Sequence, residues 1–210
     1  VFFNAGFRMI APTHRFDNEL ASASEGCGPT RGLTRYGRKV IEAAAKRRMV
    51  IDVAHAASPV IEETSAMALE QGFPIVSSHG GVYATCPRRP GARVARNLKD
   101  SDIRAIARTG GIVGIGFWPE AVCWDDDDGQ TQRLEAIAAA MSHTLEVLKA
   151  PAFVAEMQRR DPAYDPAEHV ALGSDYDGAV RVPFDAGGLA LLTQTLLDYR
   201  EDDRYVFDER

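Results

Sequence analysis

The sequence predicts an α/β protein of the (β/α)-barrel kind, and three observations carry that expectation. Short apolar runs alternate with longer stretches of helical periodicity, the mark of successive βα units. The short runs are apolar almost throughout, as strands covered on both faces of a parallel sheet are. Four of the five pass at once into a residue able to bind a metal or move a proton.

Taken in order, the first strand is expected over Phe7 to Pro12 and leads into a long connection, residues 13–35, rich in Gly, Ser and Thr. A helix follows over Tyr36 to Arg48, then a strand from Val50 to Ala54 and a helix from Pro59 to Gln71. The third strand, Pro74 to Ser77, opens a second long connection, residues 80–100, rich in Arg and Pro. Long connections in a compact domain are more often functional than not. Lys99-Asp100-Ser101 begins a helix through Arg108, because an Asp or Ser side chain can accept from the free N–H groups of a first turn. Ile112 to Phe117 and Val170 to Gly173 are the last two strands; Thr131 to Lys149 and Gly188 to Tyr199 are the last two helices. Tyr199 to Arg210 fits none of these patterns.

With 210 residues, 45% of them hydrophobic, the chain can bury one core, and a single domain over residues 1–210 is expected. A formal net charge of -6 excludes a nucleic-acid partner, which needs a concentrated basic surface. Arg88, Arg89, Arg93 and Arg96 make only a local patch, able to stay solvated or to anchor a carboxylate. No apolar run reaches the roughly 18 residues of a transmembrane segment. Val1-Phe2-Phe3-Asn4 lacks the charged start of a signal peptide and enters an apolar stretch without a methionine, so the chain reads as part of a longer one.

Cys27, Cys86 and Cys123 are too few and too scattered for a disulfide scaffold or a zinc cluster, and composition favours three separate thiols, buried or inert. Asp125 to Asp128 fails as a calcium loop, since Gly129 stands where Asp or Asn is needed; a solvated acidic turn is expected. Gly111, Gly114 and Gly116 do not make a dinucleotide fingerprint, because Pro119 replaces the third glycine.

Placement is the informative feature. The first strand ends in Thr13-His14, the second in His55, the third in His79 and the last in Asp175. In a parallel barrel all strand C-termini share one face, so these four side chains would converge on one cleft. One histidine at a strand end is more often structural; three at successive ends point to a site. Neutral imidazole is a good zinc ligand, and a zinc with an open position activates water for attack on a carbonyl. His143, mid-helix, is expected at the surface, and His169, before its strand, at the opposite end of the sheet. Asp52 lies inside a strand and could face a helix or orient a ligand.

Thr-His-Arg-Phe-Asp-Asn around His14, the segment from Gly32 to Arg38, Ile51-Asp52-Val53-Ala54-His55, Ser77-Ser78-His79, Arg96-Asn97-Leu98, the segment from Gly110 to Gly114 and Gly173-Ser174-Asp175-Tyr176-Asp177-Gly178 together resemble the membrane dipeptidase (renal dipeptidase) family, peptidase family M19, in its bacterial branch. The resemblance runs from about residue 5 to about residue 197, and the order and spacing of the motifs make it specific. It implies a (β/α)8 TIM barrel of the amidohydrolase type and a binuclear Zn2+ enzyme that cleaves dipeptides, L,L and also L,D; it admits a homodimer. By matching motifs, His55 and His79 would ligate one zinc. His14 would contact substrate and steady the oxyanion. Arg96 would hold the free carboxylate, and Asp175 would carry a proton from water to the leaving amine.

The family's His-x-Asp motif and its metal-bridging Glu would both precede Val1, so about five C-terminal βα units are expected here, with exposed sheet edges. Arg88, Arg89 and Arg93 leave more than one arginine able to serve as the anchor. In some relatives the cysteines aligned with Cys86 and Cys123 form a disulfide, which would favour export. A related metal-dependent amidohydrolase or lactonase, and a degenerate barrel without a working metal site, are the competing readings.

Overall fold

A computed structural model of the chain describes residues 1–86, 95–177 and 180–207. Arg88, Arg89, Arg93 and Gly178 lie outside the described residues.

Five strands form one sheet: β1 (Met9–Ile10), β2 (Val50–Asp52), β3 (Ile75–Gly80), β4 (Ile112–Ile115) and β5 (Val170–Leu172). They lie side by side in chain order, every neighbouring pair parallel. Connections between parallel strands are almost always right-handed, so a sheet that grows in one direction only carries its helices on one face. A doubly wound sheet reverses its strand order partway, and no reversal occurs here. The one-way order is that of successive units of a (β/α)-barrel, the expected fold class.

The strands are shorter than their apolar runs because the chain bends toward the rim where the ladder ends. Single bonds carry the pairing one residue further: Val53 N to Val76 O at 2.7 Å, Gly116 N to Gly80 O at 2.7 Å and Gly173 N to Ile115 O at 2.8 Å. β3 is the exception. It runs past the expected Ser77 to Gly80 and shifts register against β4 between Ser77 and Gly80. His79 therefore sits inside an irregular strand, the kind of distortion that re-aims side chains beside functional sites.

The helices follow their sequence signals. In α1 (Arg35–Ala45) the Thr34 hydroxyl accepts from Gly37 N at 2.9 Å. In α2 (Ser58–Gln71) Pro59 occupies the first turn and Gly72, at φ +72°, ends the helix. The start of α3 (Asp100–Arg108) differs from expectation: Lys99 is the capping position, and Asp102, not Asp100 or Ser101, accepts from Lys99 N at 3.0 Å. The expected helix from Thr131 to Lys149 is α5 (Gln130–Lys149), and three elements went unforeseen: α4 (Pro119–Val122), α6 (Pro151–Gln158) directly after α5, and a hairpin beyond α7 (Leu189–Asp198). Pro151 cannot continue α5 but suits the first turn of α6. The hairpin, β6 (Arg200–Glu201) with β7 (Arg204–Tyr205), turns through Asp202 and Asp203, both at positive φ.

Ile51, Ile75, Val113 and Ile115 are fully buried between sheet and helices, where Val60, Ile103, Ile106, Ile137 and Leu148 meet them. Each such side chain contributes about 1.5–3 kcal/mol. Among the described residues β1 and β5 are the sheet's edges, and Met9 and Leu172 on them are exposed.

Cys86 and Cys123 are joined as a disulfide, which corrects the reading of three separate thiols; Cys27 is free and exposed. Composition holds no signal for the pairing, because the partners are 37 residues apart and meet only when α4 folds back beside the segment after β3. A loop of that length corresponds to about 4 kcal/mol of stabilisation on the chain-entropy account. Among the described residues no helix is long and apolar enough to cross a membrane.

Candidate active site

His14, His55, His79, Arg96 and Asp175 all line one cavity of about 540 Å³ at the C-terminal ends of the strands. His14 follows β1, His55 follows β2, His79 lies in β3 and Asp175 follows β5, so four separate strands supply the groups. A larger hollow of about 830 Å³ lies at the opposite end of β2 and β3, beside Lys46, Val50, Phe73 and Pro74. It has no histidine in its wall, so the chemistry belongs to the smaller cavity.

Two site residues adopt backbone conformations that L-residues avoid: His55 at φ +63° and Asp175 at φ +57°. Each costs roughly 1 kcal/mol or more. The resulting bend leads the chain off its strand at the rim.

The imidazoles form a cluster. His55 Nε2 and His79 Nε2 are 3.1 Å apart, the rings of His14 and His55 are 4.3 Å apart, and Asp175 Oδ2 lies 3.9 Å from His79 Nε2. Burial, reinforced by the Arg96 charge, pushes the His55 pKa down to about 3. The same two causes lower that of His79, outweighing the opposing pull of Asp175 and Asp52. Both imidazoles are thus held neutral at pH 7, the state that ligates a metal.

Whether a metal fits can be tested on the nitrogens. Two histidines bound at about 2.0–2.1 Å to one tetrahedral zinc stand about 3.3 Å apart. The observed 3.1 Å is within a few tenths of that separation. Among the described residues no group of three or more His, Cys, Asp and Glu could by itself hold an ion. The pair is a fitting part of a metal site, and further donors are needed to complete it.

Arg96 is also held in an unusual state. Its guanidinium lies 4.8 Å from the centre of the Trp118 ring, and its Nε and Nη2 are buried with no hydrogen-bond partner among the described residues. Those two nitrogens share one edge of the guanidinium, the fork that grips a carboxylate with two parallel bonds. Burial lowers the pKa of Arg96, with Glu25 and Asp175 opposing.

Sequence reasoning missed several participants. Trp118 stands under Arg96 and 5.8 Å from His79; it lies just beyond β4, the one strand whose end offered no polar residue. Arg15 and Asp177 share the cavity wall. Asp52, whose role the sequence left open, faces the site and accepts from Ala54 N, Ser78 N and the Ser78 hydroxyl. His143 pairs with Asp100 at 2.9 Å on the surface of α5, and His169 Nδ1 donates to Gly111 O at 2.7 Å, at the far end of the sheet.

A sheet of consecutive βα units with histidines and a carboxylate at its C-terminal rim defines a (β/α)-barrel protein of the kind whose site is built from strand ends. Residues 1–206 match the model of the membrane dipeptidase family (Peptidase family M19), and the chain belongs to that family. Among its relatives, an uncharacterized protein in the pqqA 5' region of Klebsiella pneumoniae is 28% identical over 99% of this chain and 69% of its own length. An uncharacterized dipeptidase of Schizosaccharomyces pombe is 28% identical over 87% of this chain and 38% of its own length. Among solved structures, a metallo peptidase from Rhodobacter sphaeroides, liganded with a phosphinate mimic of the dipeptide L-Ala-D-Ala, superposes with a TM-score of 0.71 at 20% identity, over 95% of this chain and 52% of that one. The chain thus spans about half the length of that structure.

Proposed function

We propose that residues 1–210 are the larger part of the catalytic domain of a zinc-dependent dipeptidase that hydrolyses L,L and L,D dipeptides. The observation that carries this reading is the free fork of Arg96 opening beside the neutral His55–His79 pair in one cavity. A dipeptide has one carboxylate to clamp and one peptide carbonyl to place beside the pair. A lactone or cyclic amide without a free carboxylate would leave the buried fork unpaired, which is costly.

In this reading His55 and His79 hold one metal ion through Nε2, with remaining ligands from outside this chain. When bound, the metal supplies Lewis acidity and lowers the pKa of water toward 7. Arg96 grips the substrate carboxylate and fixes the register of the scissile bond. His14, beside His55, donates to the carbonyl oxygen as negative charge grows there. Asp175 takes a proton from the attacking water and returns it to the leaving amine. The Cys86–Cys123 disulfide supports maturation in an oxidising compartment.

The test is metal analysis of the purified protein together with a panel of L,L and L,D dipeptides and their C-terminal amides. Bound zinc and hydrolysis of dipeptides in preference to amides are expected. Absence of bound metal, or equal turnover of amides, overturns the proposal.

A further inference from the structure

Asp52 is buried in β2 directly behind the imidazole pair, and among the described residues no cation is hydrogen-bonded to it. Its Oδ1 accepts from Ala54 N and from Ser78 N, both at 3.0 Å. These amides immediately precede His55 and His79. One carboxylate oxygen therefore ties together the turn after β2 and the irregular part of β3 that carry the pair. Its Oδ2 accepts from the Ser78 hydroxyl at 2.5 Å, and Ser78 Oγ lies 2.8 Å from His79 Nδ1.

The protons in this chain can be assigned. An ionised carboxylate only accepts, so the Ser78 proton points at Asp52. With its one proton committed, Ser78 Oγ can only accept from the ring, and His79 Nδ1 must carry a hydrogen. His79 Nε2 is then left with its lone pair facing His55 Nε2 across the cavity. We infer that Asp52 and Ser78 are positioning residues: Asp52 sets the spacing of the two imidazoles and, through Ser78, holds His79 as the Nδ1–H tautomer with Nε2 turned bare into the cavity. The inference rests on the proposed role of His79 as a metal ligand.

Asp52→Asn tests it, because the change keeps the shape and reverses the polarity. The amide oxygen still accepts from both backbone N–H groups, while its NH2 now donates to Ser78 Oγ. The Ser78 proton is driven toward His79 Nδ1, and the ring proton moves to Nε2, where it blocks ligation. In metal-free protein labelled with 15N-histidine, two-bond correlation spectra should show His79 as Nδ1–H in the wild type and as Nε2–H in the variant. Zinc affinity, measured by chelator competition, should fall about 10- to 100-fold. Ser78→Ala leaves the backbone ties intact and should convert the single His79 tautomer into a mixture; it carries the test if Asp52→Asn does not fold.

A wild-type His79 found as Nε2–H overturns the inference, as does a single unchanged tautomer in Ser78→Ala. A wild type that binds no zinc overturns the proposed function and the metal role inferred here with it. A wild type that binds zinc, beside an Asp52→Asn protein unchanged in tautomer and affinity, overturns the inference alone.

Discussion

Replacing Arg96 by Ala isolates the group on which the choice of substrate rests. The wild-type fork offers two N–H donors, Nε and Nη2, already buried and unpaired among the described residues, so neither has to leave a partner there when a carboxylate arrives. A hydrogen bond to a charged group contributes about 1.5–3 kcal/mol net. The two are not independent, since one desolvation serves both, and the loss is set at about 2–3 kcal/mol. That corresponds to a KM about 30- to 150-fold higher for a dipeptide. The turnover number should move less than about threefold, because the carboxylate is held alike in ground and transition states. Steady-state kinetics on a dipeptide and on its C-terminal amide make the assay. The amide, lacking the charge, should lose far less. Arg96→Lys should recover only part of the loss, since an ammonium is a point charge without the planar fork. A KM that rises less than threefold, or an equal penalty on the amide, would refute the assignment of this edge to the substrate carboxylate.

Three further outcomes are expected. Asp175→Asn should lower the turnover number by about 100- to 10,000-fold with bound metal unchanged, as loss of a proton carrier does; kinetics with metal analysis check it, and retention of a tenth of the activity would remove Asp175 from that role. His55 titrates at about 3 in the folded chain against 6.5 in the unfolded one, so between those values the unfolded chain binds a proton that the native one refuses. Its share of stability is therefore whole above about pH 6.5 and is lost as pH falls toward 3, by about 2 kcal/mol at pH 5. Urea midpoints of metal-free protein at pH 7 and 5, compared with those of His55→Asn, measure this, and an equal drop in the variant would contradict it. Gly114→Ala would set a Cβ 2.3 Å from Ser78 O, so β3 and β4 must part. A cost of about 1–3 kcal/mol in denaturant melts and a weakened zinc affinity are expected; a neutral change would show that β3 can yield there.

Much of this was legible in the sequence because βα units announce themselves by period and polarity. Ile51, Ile75, Val113 and Ile115 stand in short runs that are apolar almost throughout, and all are buried in the sheet. Placing chemistry at the ends of those runs located His14, His55, His79 and Asp175 on one cavity. The rule was blind where a strand ends in something other than a classical ligand: Trp118 follows β4 and supports Arg96 through its ring face, a contact that residue type alone does not advertise. Asp52 was undecidable because strand alternation says which face a side chain takes, not what occupies that face. Its partners come from the next strand, with Ser78 N 26 residues away. The disulfide was invisible to composition for a similar reason, since Cys86 and Cys123 are joined through the position of α4. Glycine-rich spacing at Gly111 and Gly114 reports packing: a Cβ at Gly111 would lie 1.8 Å from Ile75 O.

The long connection before α1 also has an account that its composition did not supply. The other non-glycine residues at positive φ, Arg48, Cys123, Asp202 and Asp203, end helices or turn a hairpin, where a left-handed step is the ordinary way to reverse a chain. His55 and Asp175 instead leave strands of the parallel sheet that could have continued extended, so their conformation must be held from outside. For His55 the holding contacts are present. Ser24 N donates to His55 O at 2.8 Å, Ala57 N to Ser22 O at 3.1 Å, and Ala23 bridges Ala56. Ser22 to Ser24 are kept in place in turn by Asp17, whose carboxylate accepts from Ala23 N and Gly28 N. The connection that begins with His14 thus runs beside the turn after β2 and pins the backbone of His55. Two histidines of the cluster, 41 positions apart in the chain, are set by one piece of loop, which is a physical reason for that loop to be long, ordered and polar.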